Sequence, residues 1–90
     1  MTYAVVNKRL RPTALLRLTR KVARQHKRSP VEEPGRGKGS HRLYLLLDEA
    51  GAEVGRIVVP DHARELSWTV LRGIEEALAG EMGERWMEER

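Results

Sequence analysis

Two rhythms of apolar and polar residues run along this chain. Leu15, Leu18 and Val22 recur at helical intervals, with Leu16 and Ala23 at the margin of the stripe. Pro12 suits a first helical turn and Thr13 can cap one, so a helix is predicted from Pro12 or Thr13 to about His26. The next stretch carries Pro30, Pro34, Gly35, Gly37 and Gly39 and cannot be helical; Val31-Glu32-Glu33 reads as a short strand within it. From His41 to Asp48 the period becomes two. His41, Leu43, Leu45 and Leu47 fall on one face, and Arg42, Tyr44 and Leu46 on the other. Glu49-Ala50-Gly51-Ala52 is turn-like, and Glu53 to Val59 reads as the returning strand of an antiparallel hairpin, stopped by Pro60. Leucine on both faces suggests a sheet covered, at least in part, on both sides.

The helical rhythm returns at Ser67, a good cap residue. Val70, Leu71, Ile74, Ala77 and Leu78 form the second stripe, and Gly80 is its expected stop. Gly73 inside that helix costs about 1 kcal/mol relative to alanine, which suggests close packing there. Residues 81–89 are expected to form a last short helix with Met82 and Trp86 on one side. The order predicts an α+β fold: a small antiparallel sheet of two or three strands, with two helices layered on one face and a short extra C-terminal helix.

Ninety residues suffice for one small domain, with residues 1–11 as an N-terminal extension and 81–90 as an acidic C-terminal segment. Without cysteine there is neither a disulfide nor a thiolate metal site. The longest apolar run, Leu43 to Leu47, is five residues, far short of a membrane span. Residues 1–6 lack the features of a signal peptide, so a cytoplasmic protein is expected.

Charge divides the chain more sharply than its net +4 suggests. Residues 1–42 hold 12 Lys and Arg against two acids, a balance of +10; residues 43–90 hold 5 Arg against 11 acids, a balance of −6. A basic half attracts phosphate backbones irrespective of sequence, and the acidic half confines such binding to one face. Arg17, Arg20, Lys21, Arg24, Lys27 and Arg28 fall on the arc opposite the first apolar stripe. Within the helix, no glutamate stands four residues away to neutralise them. A solvated face and a phosphate track both fit this pattern, and the uncompensated charge favours the track.

Candidate chemistry centres on His41, since histidine exchanges protons near neutral pH. Cleaving RNA without a metal requires a base for the ribose 2′-OH, an acid for the leaving 5′ oxygen and cations for the phosphate. His41 can be base or acid, and Arg36, Lys38 and Arg42 can hold phosphate, with Gly39 and Ser40 in the approach loop. No second proton-transfer group is evident. Gly35 to Gly39 does not match a nucleotide-triphosphate loop, because the spacing is wrong and a strand follows. Ser40 makes a poor nucleophile, since adjacent residues on a strand point to opposite faces. His26 and His62 read as a helix-end residue and a turn residue, and the three scattered histidines make no metal signature and require no cofactor.

Gly39-Ser40-His41, Val59-Pro60-Asp61-His62, Glu65-Leu66 and Leu71-Arg72-Gly73-Ile74, in that order and spacing, resemble the HicA family of small toxin ribonucleases. The resemblance covers roughly residues 13–80. It implies a helix, a three-stranded sheet and a helix in the manner of a double-stranded-RNA-binding domain. It further implies an mRNA endoribonuclease with His41 as the catalytic histidine, held inactive by a HicB-like antitoxin protein. Thr69-Val70 departs from the family's Gly-Thr, and Pro30 to Gly37 lacks its Gly-Phe turn. Two other readings stand beside it: a non-catalytic double-stranded-RNA-binding module of the same fold, and an interaction domain whose basic half binds an acidic protein.

Overall fold

The computed structural model describes residues 10–33, 41–61 and 64–88. Helix α1 (Pro12–Gln25) opens with proline at its first position. Pro12, Leu15, Thr19, Val22 and Ala23 are buried, and Leu16 and Leu18 pack at the edge of the core. Thr19 is the polar member of this face, and its hydroxyl donates to the Leu15 carbonyl at 2.8 Å, so it is buried without an unpaired group. The helix closes at Gln25. The Arg28 amide bonds to the Ala23 carbonyl (2.8 Å) and the Lys27 amide to the Arg24 carbonyl (3.1 Å), the paired bonds of a Schellman cap. Lys27 takes the left-handed position, φ 59°, that glycine usually fills. Lys27 and Arg28 therefore lie beyond the helix and do not continue its basic arc.

Three antiparallel strands follow: β1 (Ser29–Glu32), β2 (His41–Leu47) and β3 (Glu53–Pro60), in the spatial order β1-β2-β3. The register sets Val31 opposite Leu45, Leu43 opposite Val58 and Tyr44 opposite Ile57, with a bulge at Leu46/Leu47. The β2–β3 turn is organised by Asp48. Its carboxylate accepts from the Ala50 and Ala52 amides, both at 2.9 Å, and these bonds, that from Ala52 foremost, hold its pKa below the usual carboxylate value. Gly51 supplies the positive φ the turn requires.

Helix α2 (Trp68–Ala77) starts where expected: the Ser67 hydroxyl accepts from the Val70 amide at 3.2 Å. Leu71 and Ile74 are buried, as is Leu78 just past the helix, whereas Ala77 is exposed. Two glycine expectations are corrected. A Cβ on Gly73 would meet nothing within 4 Å, so nothing packs closely there; the close approach is at Gly55, where a Cβ would stand 3.0 Å from Leu78. Gly80 does not stop α2 but lies within a short helix, α3 (Ala79–Met82), which Gly83 ends at φ 93°. The expected helix over residues 81–89 is divided between α3 and a 3₁₀ turn, Trp86–Glu88. Burial decides this: Trp86 and Met87 both enter the core. The Trp86 indole donates to the Glu75 carbonyl (2.9 Å) and the Met87 amide to the Glu75 carboxylate (3.1 Å).

Tyr44, Leu46, Ile57 and Val59 on one sheet face join Leu15, Val22, Leu71, Ile74, Leu78, Met82, Trp86 and Met87 in a single core. Both main helices thus lie on one face, and this is the small α-β-β-β-α fold anticipated above. The sheet is not covered on both sides by described residues. Its other face carries Leu43, Leu45 and Leu47 half-buried, with Val31 and Val58 exposed at 44% and 51%. Among the described residues, no helix is long and apolar enough to cross a membrane.

Candidate nucleic-acid interface

The buried stripe of α1 dictates what its outer side presents. Arg17, Arg20, Lys21 and Arg24 recur at three- and four-residue intervals, so four cations line one exposed face over two turns. None makes an ion pair with a described residue. A shallow groove of about 300 Å³ runs along them, lined by Thr13, Arg17, Arg20, Lys21 and Arg24. A second, of about 250 Å³, lies between Arg20, Arg24 and Arg28 and the start of β1 at Ser29 and Pro30. Among the described residues, no acid lines either groove.

The remaining cations of the predicted track behave differently. Lys27 is exposed on the turn after α1. The Arg28 side chain folds back, its Nε donating to the Glu81 carboxylate at 2.9 Å and its Nη1 to the His26 carbonyl at 3.1 Å. It ties the end of α1 to α3. Arg42 donates through Nε to Asp61 (2.8 Å) and through Nη1 to Glu32 (3.0 Å). These hydrogen bonds, that with Asp61 first, raise its pKa further, so the guanidinium stays charged and carries two carboxylates of its own. The phenol of Tyr44, beside Arg42 on β2, is pushed up by burial first and then by the Glu32 charge, and so stays neutral.

His41 begins β2, is exposed and stands opposite Pro60 in the ladder. Alternation puts its side chain on the face away from the helices, with Leu43 and Leu45. Arg42 faces the helix layer, where a small cleft of about 150 Å³ joins it, Val59, Pro60 and Asp61 to Pro12, Thr13 and Leu16. The α1 ridge and His41 thus occupy opposite sides of the sheet; the first turn of α1, at Pro12 and Thr13, reaches the end where His41 stands, whereas Arg20 and Arg24 lie beside the start of β1 at the other end. Arg36, Lys38, Gly39 and Ser40, and His62 of the Val-Pro-Asp-His segment, lie outside the described residues.

Sequence reasoning missed the two acids that hold Arg42. Glu32 and Asp61 lie 10 and 19 residues from it, and no local spacing marks them as partners. Trp86 is core, whereas Trp68 is 57% exposed, with the Arg72 guanidinium 5.5 Å from its ring centroid. Among the described residues no group of three His, Asp or Glu is placed to hold a metal ion. Comparison with known protein families, curated proteins and solved structures finds no match.

Proposed function

We propose that this chain is an RNA-cleaving protein of the HicA-like toxin kind: a metal-independent endoribonuclease of the cytoplasm that cuts mRNA and is inhibited by a HicB-like antitoxin. The observation that carries the RNA half of this reading is the row Arg17, Arg20, Lys21 and Arg24, four cations on one helix face without a carboxylate partner among the described residues. Such a row attracts a phosphodiester backbone and releases its counterions. The catalytic half rests on His41, exposed at a strand start, and on the motif resemblance. In the reaction, a base removes the 2′-OH proton, the 2′ oxygen attacks the adjacent phosphorus, and the 5′ oxygen departs with a proton. A 2′,3′-cyclic phosphate and a 5′-OH remain. His41 serves as base or acid. The cleft joining Pro12 and Thr13 to Pro60 and Asp61 marks the sheet end around which a flexible strand would pass from α1 to His41.

A second reading, a non-catalytic RNA-binding module, is favoured by one observation: His41 stands on the sheet face opposite the helix layer that carries the cationic row. Incubating the protein with a long RNA in EDTA, beside a His41→Ala variant checked for folding, separates the two. Cleavage by the wild type that the variant loses is the expected result. No cleavage by either, with equal RNA binding, leaves the binding module.

A further inference from the structure

We propose that Arg42 is a positioning residue for His41 rather than a phosphate ligand. Clamped between Asp61 and Glu32, it ties all three strands together at the end of the sheet where His41 stands. The inference rests on the reading of His41 as the proton-transfer group and deepens it.

Among the described residues, the backbone ladder between β1 and β2 stops short of this end. Pairing between β1 and β2 runs only as far as Glu32 opposite Tyr44, with one further bond from the Glu33 amide to the Leu43 carbonyl at 2.9 Å. Among the described residues, nothing from β1 pairs with His41 or Arg42. On the other side His41 faces Pro60, which brings no N–H to the pairing. Element ends are where local opening begins, so any side-chain bond that reaches this end acts where it counts.

The Arg42 fork adds side-chain bonds to both neighbouring strands here. Its Nε bond to Asp61, 2.8 Å, reaches the residue that follows β3; its Nη1 bond to Glu32, 3.0 Å, reaches the last residue of β1. Successive side chains on a strand point to opposite faces. Fixing Arg42 toward the helix layer therefore fixes the pleat, and the pleat aims His41 at the open face. The same geometry argues against phosphate binding. An incoming phosphate would meet two carboxylates already seated on the guanidinium and would have to displace one. Side chains about half exposed, as here, add little to global stability, so the effect of the clamp is local and its variants should fold.

The test uses the full chain with Arg42→Met, Arg42→Lys and the near-isosteric Asp61→Asn. Three quantities are measured: amide hydrogen exchange at residues 41–43, the NMR signal of the His41 ring, and both RNA affinity and single-turnover cleavage at saturating RNA. The expected result is faster exchange and a shifted or broadened His41 signal in Arg42→Met and Asp61→Asn. Cleavage at saturation should fall roughly tenfold while RNA affinity stays within about twofold. Arg42→Lys should restore only part of the loss, because an ammonium cannot serve both carboxylates in the fork geometry. Weakened RNA binding in Arg42→Met and Arg42→Lys, with exchange and the His41 signal unchanged, would overturn the proposal and make Arg42 a phosphate ligand. If no protein cleaves RNA but exchange and the His41 signal respond as expected, the positional role stands and the enzymatic reading falls.

Discussion

The arginines of the two halves of this molecule live in opposite surroundings. On α1, Arg17, Arg20, Lys21 and Arg24 make no ion pair with a described residue, and like charges stand at i,i+4 in Arg17/Lys21 and Arg20/Arg24. In the second half each exposed arginine of a described ion pair has an acid close by in sequence: Arg56 with Glu53 (2.8 Å), Arg72 with Glu76 (3.1 Å) and Arg85 with Glu88 (3.9 Å). Exposed pairs of this kind spend their charge locally and contribute little beyond it. Unpaired like charges repel, by a few tenths of a kcal/mol per pair, and an approaching polyanion relieves that cost. Residue type is the same in both regions. What distinguishes the two regions is whether a carboxylate stands within three or four residues of each cation.

The largest expected break in this comparison comes from replacing Arg17, Arg20, Lys21 and Arg24 together by glutamine. RNA affinity near 0.1 M salt should fall about 10²- to 10³-fold, and the slope of log affinity against log salt should lose about 3. Fluorescence anisotropy across a salt series measures both, and an unchanged slope would show that the α1 row is only a solvated face.

A smaller effect is expected at Lys27, which holds the left-handed position after α1. Lys27→Gly should raise stability by roughly 0.5–1 kcal/mol, the relief of strain offset in part by the freer unfolded chain. Urea denaturation reads that gain. If Lys27 belongs to the track, the same variant lowers the salt slope by just under 1; an unaltered slope removes it from the track.

The smallest effect on RNA binding is assigned to Arg72→Gln. Losing the Glu76 pair should cost about 0.3–0.5 kcal/mol and losing the cation over the Trp68 ring about 0.5–1 kcal/mol, with the salt slope of RNA binding unchanged. A weakened slope would place α2 in the interface and erase the distinction between the halves.

Much of the scaffold was legible before any coordinates. The periods near residues 15–23 and 70–78, the Ser67 cap and the turn at Gly51 are local signals, and each depends on residues within about a helical turn of one another. The same holds for the four cations on the outer face of α1, since the side that buries Leu15 and Val22 leaves them outside. The glycines were misread for a complementary reason. A Cβ at Gly55 would be crowded by Leu78, 23 residues away, whereas one at Gly73 would meet nothing within 4 Å, and only packing reveals which glycine is touched.

By itself, then, the amino-acid sequence determined the element types, the two faces of β2 and the division of charge, because periodicity and capping act over a few residues. Tertiary structure decided the rest. It paired Arg42 with carboxylates 10 and 19 residues away, folded Arg28 onto Glu81 across 53, and drew Trp86 and Met87 onto Glu75. It also set His41 and the α1 row on opposite sides of one sheet. Those outcomes follow from strand register and from the burial of one shared core, which no local spacing encodes.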